Sequence, residues 1–145
     1  MRVCGVELKG TEAIICLLSL DNEVFQLPDC RVRKLALKDI NTTKDLKDFQ
    51  FAFAQLMQDY KVDRVVIRQR PLKGKFAGGA IGFKLEAAIQ LIDKLSVATI
   101  SSNEIKEAIK RNPIPVPFSE TGLKVFQEPA FTTAFASLMK HQYQS

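Results

Sequence analysis

The chain has 145 residues, 46% hydrophobic and 26% charged, which is ordinary globular usage and excludes a disordered or fibrous class. At this length a single hydrophobic core is expected, so residues 1–145 read as one domain. A net charge of +5 and a pI near 9.2 favour anionic partners only mildly and name none.

The opening MRVCGVELKG meets charged residues too early for a signal peptide, and the apolar run 13–20 is too short to span a bilayer. The expectation is a cytoplasmic protein with no membrane partner. Residues 2–8 and 12–20 are rich in β-formers and separated by Lys9 and Gly10, which predicts an antiparallel hairpin with a largely buried second strand. Asp21 and Asn22 make a turn, as do residues 27–29, and alternation of Val32, Leu35 and Leu37 predicts a third, more exposed strand over 31–38. Cys4, Cys16 and Cys30 are odd in number and lack paired spacing, so they read as reduced core thiols.

Thr42 or Thr43 caps a helix running to about Tyr60, because Leu46, Phe49, Phe53, Leu56 and Met57 recur at helical spacing. Residues 63–67 form a short β-branched run suited to a buried parallel strand. Helices follow over 80–95 and from Ser101 or Ser102 to about Lys110, with the short strand 97–100 between them and Ser101 and Glu104 set for a capping box. Pro113, Pro115 and Pro117 break regular structure, residues 119–126 hold a short helical turn, and the last helix starts near Glu128 and Pro129 and runs toward His141.

Charge is concentrated. Lys61, Arg64, Arg68, Arg70, Lys73, Lys75 and Lys84 face a single acid, Asp63, between residues 61 and 84. Within that stretch Arg68, Arg70, Lys73 and Lys75 are candidate phosphate ligands, and Gly74, Gly78 and Gly79 let backbone amides approach an anion. Phe76 is the better candidate for stacking on a base, while Phe83 belongs to the helix and its core face. The competing reading is a solvated loop. The spacing matches neither a Walker loop nor a dinucleotide fingerprint.

Three meandering strands followed by helices alternating with two more strands is the order of the ribonuclease H-like fold. The first strand carries GVELKG, residues 5–10, which resembles the G-[IV]-D-x-G start of RuvC-type Holliday junction resolvases with Glu7 in the acidic position. Residues 62–92 are similar in order: a strand, a basic loop, small residues, a helix. The resemblance implies an α/β fold with a five-stranded mixed sheet, three antiparallel strands first and two alternating with helices, flanked by helices.

It also implies magnesium or manganese, held by acids on the first strand, at the end of the fourth and on the last helix, for nuclease chemistry. Glu7 fills the first place as candidate catalytic residue and metal ligand. The fourth-strand place falls on Ile67, Arg68 or Gln69, none of them acidic, and the last helix offers Glu128 at its start but Thr132 and Thr133 where acid is expected. Glu86 and Glu120 are the remaining substitutes, and the alternative for Glu7 is an ion pair with Lys9 or Arg68.

The leading expectation is therefore nucleic-acid binding, DNA or RNA, through Arg68, Arg70, Lys73, Lys75 and Phe76. A nuclease using Glu7 and Glu128, helped through water by Thr132, Thr133 or Gln69, is the enzymatic alternative. A non-catalytic interaction domain or homodimer, without any cofactor, is the third. His141, the only histidine, sits beside a polar C-terminal stretch, so a Cys-His or Ser-His site would need a chance tertiary meeting.

Overall fold

The computed structural model describes residues 1–71 and 79–143. Arg2–Lys9 (β1) and Glu12–Asp21 (β2) form the expected hairpin, paired antiparallel from Arg2 opposite Ser19 to Lys9 opposite Glu12. Gly10 closes it with φ at +59°, a conformation that costs glycine little.

The single third strand expected over 31–38 is instead two short strands, Val24–Gln26 (β3) and Lys34–Ala36 (β4), both antiparallel to β2. The turn explains this. Asn22 and Glu23 both have positive φ, 51° and 63°, and such paired left-handed residues fold the chain straight back onto its own strand. Pro28, with no amide hydrogen to offer, lies in the stretch that leaves the sheet before the chain returns at Lys34.

Helix α1, Thr43–Asp59, begins at Thr42, whose Oγ1 accepts from the Asp45 amide at 3.2 Å. Strand β5, Arg64–Arg68, then lies parallel to β1, with Val3 opposite Arg64 and Val6 opposite Ile67. Helix α2, Ala80–Gln90, stops short of the expected residue 95, and Lys94 takes a left-handed φ of 63° in the turn that follows. Strand β6, Val97–Ile100, is parallel to β5. Helix α3, Ser102–Arg111, carries the expected capping box between Ser101 and Glu104. Two 3-10 turns, Phe118–Glu120 and Val125–Gln127, lead into helix α4, Glu128–Tyr143.

The sheet thus has six strands and not five, in the order β3-β2-β1-β5-β6, with β4 also on β2. Between β3 and β4 the Ile15 carbonyl is satisfied by buried Gln127, whose Nε2 donates to it at 3.0 Å. Phe49, Phe53, Leu56, Leu85 and Ile89 of α1 and α2 cover one face of the sheet, and Ile105, Phe131, Phe135 and Leu138 of α3 and α4 cover the other. Side chains of this size contribute roughly 1.5–3 kcal/mol each when fully buried.

Gly5 decides how close α4 comes. A Cβ there would stand 2.1 Å from the Ala130 carbonyl oxygen and 2.7 Å from the Ala134 amide nitrogen. Only the missing side chain lets α4 rest on the β1 backbone, which brings its first turn to the end of the strand. Among the described residues no helix is long and apolar enough to cross a membrane.

Candidate functional site

The C-terminal ends of β1 and β5, parallel neighbours within the sheet, carry Glu7 and Arg68. Val6 pairs with Ile67, so Glu7 and Arg68 stand one step beyond that pair. Glu7 lies across from Ile14, a member of the α4-facing core, and cross-strand partners share a face. Arg68 follows Val66 of the same core by two residues and projects the same way. Its Nη1 donates to the Thr132 hydroxyl at 3.3 Å and to the Pro129 carbonyl at 3.5 Å, in the first turn of α4.

Arg70 turns toward α2. Its Nη1 is buried over Gly82, where an added Cβ would come within 1.3 Å, and its guanidinium lies 5.9 Å from the centroid of the Phe83 ring. No described residue accepts a hydrogen bond from that nitrogen. Phe83, expected to serve the core, is half-buried beneath this cation.

Burial pushes the Glu7 carboxyl above its ordinary range, against the opposing pull of Lys9, Arg68 and Arg70. Glu86 of α2 is raised in the same way, with Arg70 opposing. Arg70 thus acts on two half-buried carboxyls from different elements. Neither carboxyl makes a close ion pair among the described residues, so the attraction between Glu7 and its basic neighbours is longer-ranged.

The other candidates disperse. Glu128 is exposed at the head of α4, and the charges that act on Glu7 are those of Lys9, Arg68 and Arg70. Thr133 is fully buried and donates to the Pro129 carbonyl at 2.7 Å, while Thr132 is the hydroxyl that meets Arg68. Gln69 is exposed, its amide donating to the Ile100 carbonyl at 2.7 Å. Glu120 lines an apolar cleft with Phe25, Ile114 and Phe131. His141 lines a polar hollow with Arg64, Ser137 and Lys140. Lys73, Lys75 and Phe76, with Gly74 and Gly78, lie outside the described residues.

All three cysteines are free thiols. Burial pushes the Cys16 thiol up to about 12 and raises Cys4 well above its ordinary value, as inert core thiols require.

Magnesium or manganese, implied by the resemblance, is poorly served by these donors. Among the described residues no group of three or more His, Cys, Asp or Glu side chains is placed to hold a metal. Magnesium takes several hard oxygen ligands, and none of Ile67, Arg68 and Gln69 at the end of β5, or Thr132 and Thr133 on α4, supplies a carboxylate. What the arrangement offers instead is positive charge: the guanidinium groups of Arg68 and Arg70, both of which act on Glu7. Arg68 engages α4 through one nitrogen, which leaves donors of its planar guanidinium for two oxygens of an anion such as phosphate. The link between Arg68 and Thr132 went unrecognised in the sequence, where the two residues appeared only separately, among the non-acidic residues at places where the resemblance implies acids.

The chain belongs to the family described as "Protein of unknown function (DUF3010)", which matches residues 1–137. No curated protein matches it by sequence. Among solved structures, Thermus thermophilus RuvC has a TM-score of 0.76 at 10% identity, over 99% of this chain and 97% of that one. T. thermophilus RuvC in complex with Holliday junction substrate gives 0.71 at 10% identity, over 98% and 96%. The yeast mitochondrial Holliday junction resolvase Ydc2 gives 0.59 at 9% identity, over 98% of this chain and 79% of that one. The fold is therefore the mixed α/β, ribonuclease H-like fold of RuvC.

Proposed function

We propose that this domain binds the phosphate backbone of nucleic acid at the C-terminal ends of β1 and β5, without cleaving it. The observation that supports this reading is the pair of arginines at one strand end, Arg68 held against α4 and Arg70 over Gly82 of α2, whose charges both act on half-buried Glu7. By sequence, the chain leaving Arg70 adds Lys73 and Lys75 as further phosphate ligands and Phe76 as a stacking platform. Phosphate contacts of this kind release counterions, so affinity falls steeply as salt rises.

A RuvC structure of the same fold contains a Holliday junction substrate, which makes branched DNA the first probe to use. The purified protein is tested against a labelled four-way junction, duplex DNA and single-stranded RNA at two salt concentrations, with magnesium or manganese present. Products are run on a denaturing gel. Salt-sensitive binding with intact probes is the expected result. No binding to any probe at low salt overturns the reading. Cleavage that disappears in Glu7→Gln overturns its non-cleaving half in favour of a metal-dependent nuclease using Glu7 and Glu128.

A second reading is favoured by Phe51 and Leu91, which stand 70% and 77% exposed on α1 and at the end of α2. Such large apolar groups suit a homodimer contact. That reading expects a dimer by light scattering and no salt-sensitive binding to DNA or RNA.

A further inference from the structure

We infer that the Arg68 guanidinium is the resident cation of this site and takes the place of a divalent metal ion there. The inference deepens the proposed phosphate-binding reading, because it names the group that meets the anion.

Three observations carry it. The first is position: Arg68 ends β5 one step past the pair formed by Val6 and Ile67, and so flanks Glu7 on the face that α4 covers. Fixation is the second, since its Nη1 is tied to both the Pro129 carbonyl and the Thr132 hydroxyl and the side chain is half-buried. The third is the acid of this strand end, Glu7, on which the charges of Lys9, Arg68 and Arg70 already act.

A dication brought to Glu7 would meet two fixed guanidinium charges and too few oxygen ligands to replace its water. A guanidinium, unlike a lysine amine, cannot shed its proton to make room. Its remaining N–H donors match two oxygens of a phosphate, so anion binding at this point needs no metal.

The test is a titration of the full chain with manganese(II), read by electron paramagnetic resonance as loss of the free aqueous signal. The wild-type protein is expected to leave that signal unchanged. The double variant Arg68→Glu/Thr132→Asp, which puts acids at the end of β5 and at its contact on α4, is expected to diminish it. Manganese binding by the wild type that is lost in Glu7→Gln would overturn the inference, with far-UV circular dichroism used to show that the variant is folded. In parallel, labelled junction DNA is titrated with wild-type protein in EDTA and in magnesium at matched ionic strength. Equal affinity supports the inference, and binding only with magnesium overturns it. Absence of DNA binding in both buffers counts against the proposed function, while the manganese arm still decides the place of the cation.

Discussion

Arg68 at the end of β5 donates to the hydroxyl of Thr132 on α4, at 3.3 Å. A strand end and a helix at which the resemblance implies acids are here joined by a cation and a neutral acceptor. The pair holds the guanidinium beside Glu7 without neutralising it, which an acid at position 132 would do.

Thr132→Asp tests that difference. The new carboxylate would sit in the first turn of α4, where the helix dipole favours it, and would pair with Arg68. Stability measured by denaturant unfolding is expected to rise by up to about 1 kcal/mol, the range of a partly exposed ion pair. Binding to labelled DNA is expected to weaken in the same variant. Undiminished binding would show that Arg68 does not meet the phosphate.

Gly82→Ala probes the other arginine. Alanine inside a helix is worth about 1 kcal/mol over glycine, so α2 itself gains. The added Cβ would stand 1.3 Å from the present position of Arg70 Nη1, and the flexible end of that side chain must give way. A retained or raised melting temperature together with reduced nucleic-acid affinity is the expected pattern. Unchanged affinity would remove Arg70 from the interface.

Gly5→Val addresses the scaffold. Its Cβ would meet the α4 backbone at 2.1 Å from the Ala130 carbonyl oxygen, where no side-chain rotation gives relief. A destabilisation of about 3 kcal/mol, the upper part of the usual overpacking range, is expected in denaturant unfolding. A change under about 0.5 kcal/mol, the level of an ordinary surface substitution, would mean that α4 does not rest on β1 in this way.

How far the sequence led follows from the distance over which each feature acts. The β1–β2 hairpin, the Thr42 cap of α1 and the Ser101–Glu104 capping box are set by residues near in sequence, and they form as expected. The split of the third strand was hidden because β3 is only three residues long and depends on left-handed conformations at Asn22 and Glu23, neither a glycine. Within the site, Glu7, Arg68 and Arg70 stood out as candidates through an acid on an apolar strand and a local excess of base. The destinations of the two arginines were not. Arg68 reaches Thr132, 64 positions away, and Arg70 fits over Gly82 because that residue lacks a Cβ; both relationships are made by tertiary packing.

Glu7 gives the fold a pH dependence with a definite sign. Its folded value is raised, mainly by burial, so the folded state holds a proton that the unfolded chain has already released. This contribution to stability is full below the ordinary glutamate range and is lost as pH rises from that range through the raised folded value. Glu7→Gln, which cannot ionise, is expected to gain on the wild type across that window when unfolding is followed against pH. A stability difference that stays constant across the window would contradict the burial of this carboxyl.

The most direct measurement of the central claim is fluorescence anisotropy of labelled four-way-junction DNA in EDTA, at a series of salt concentrations. Wild-type protein and Arg68→Gln/Arg70→Gln are compared. Binding by the wild type is expected to weaken linearly on logarithmic axes as salt rises, with the double variant weaker and its slope reduced by about one for each phosphate that it no longer neutralises. Equal affinity and equal slope for the two proteins, or no binding by the wild type at the lowest salt, would contradict phosphate recognition at the ends of β1 and β5.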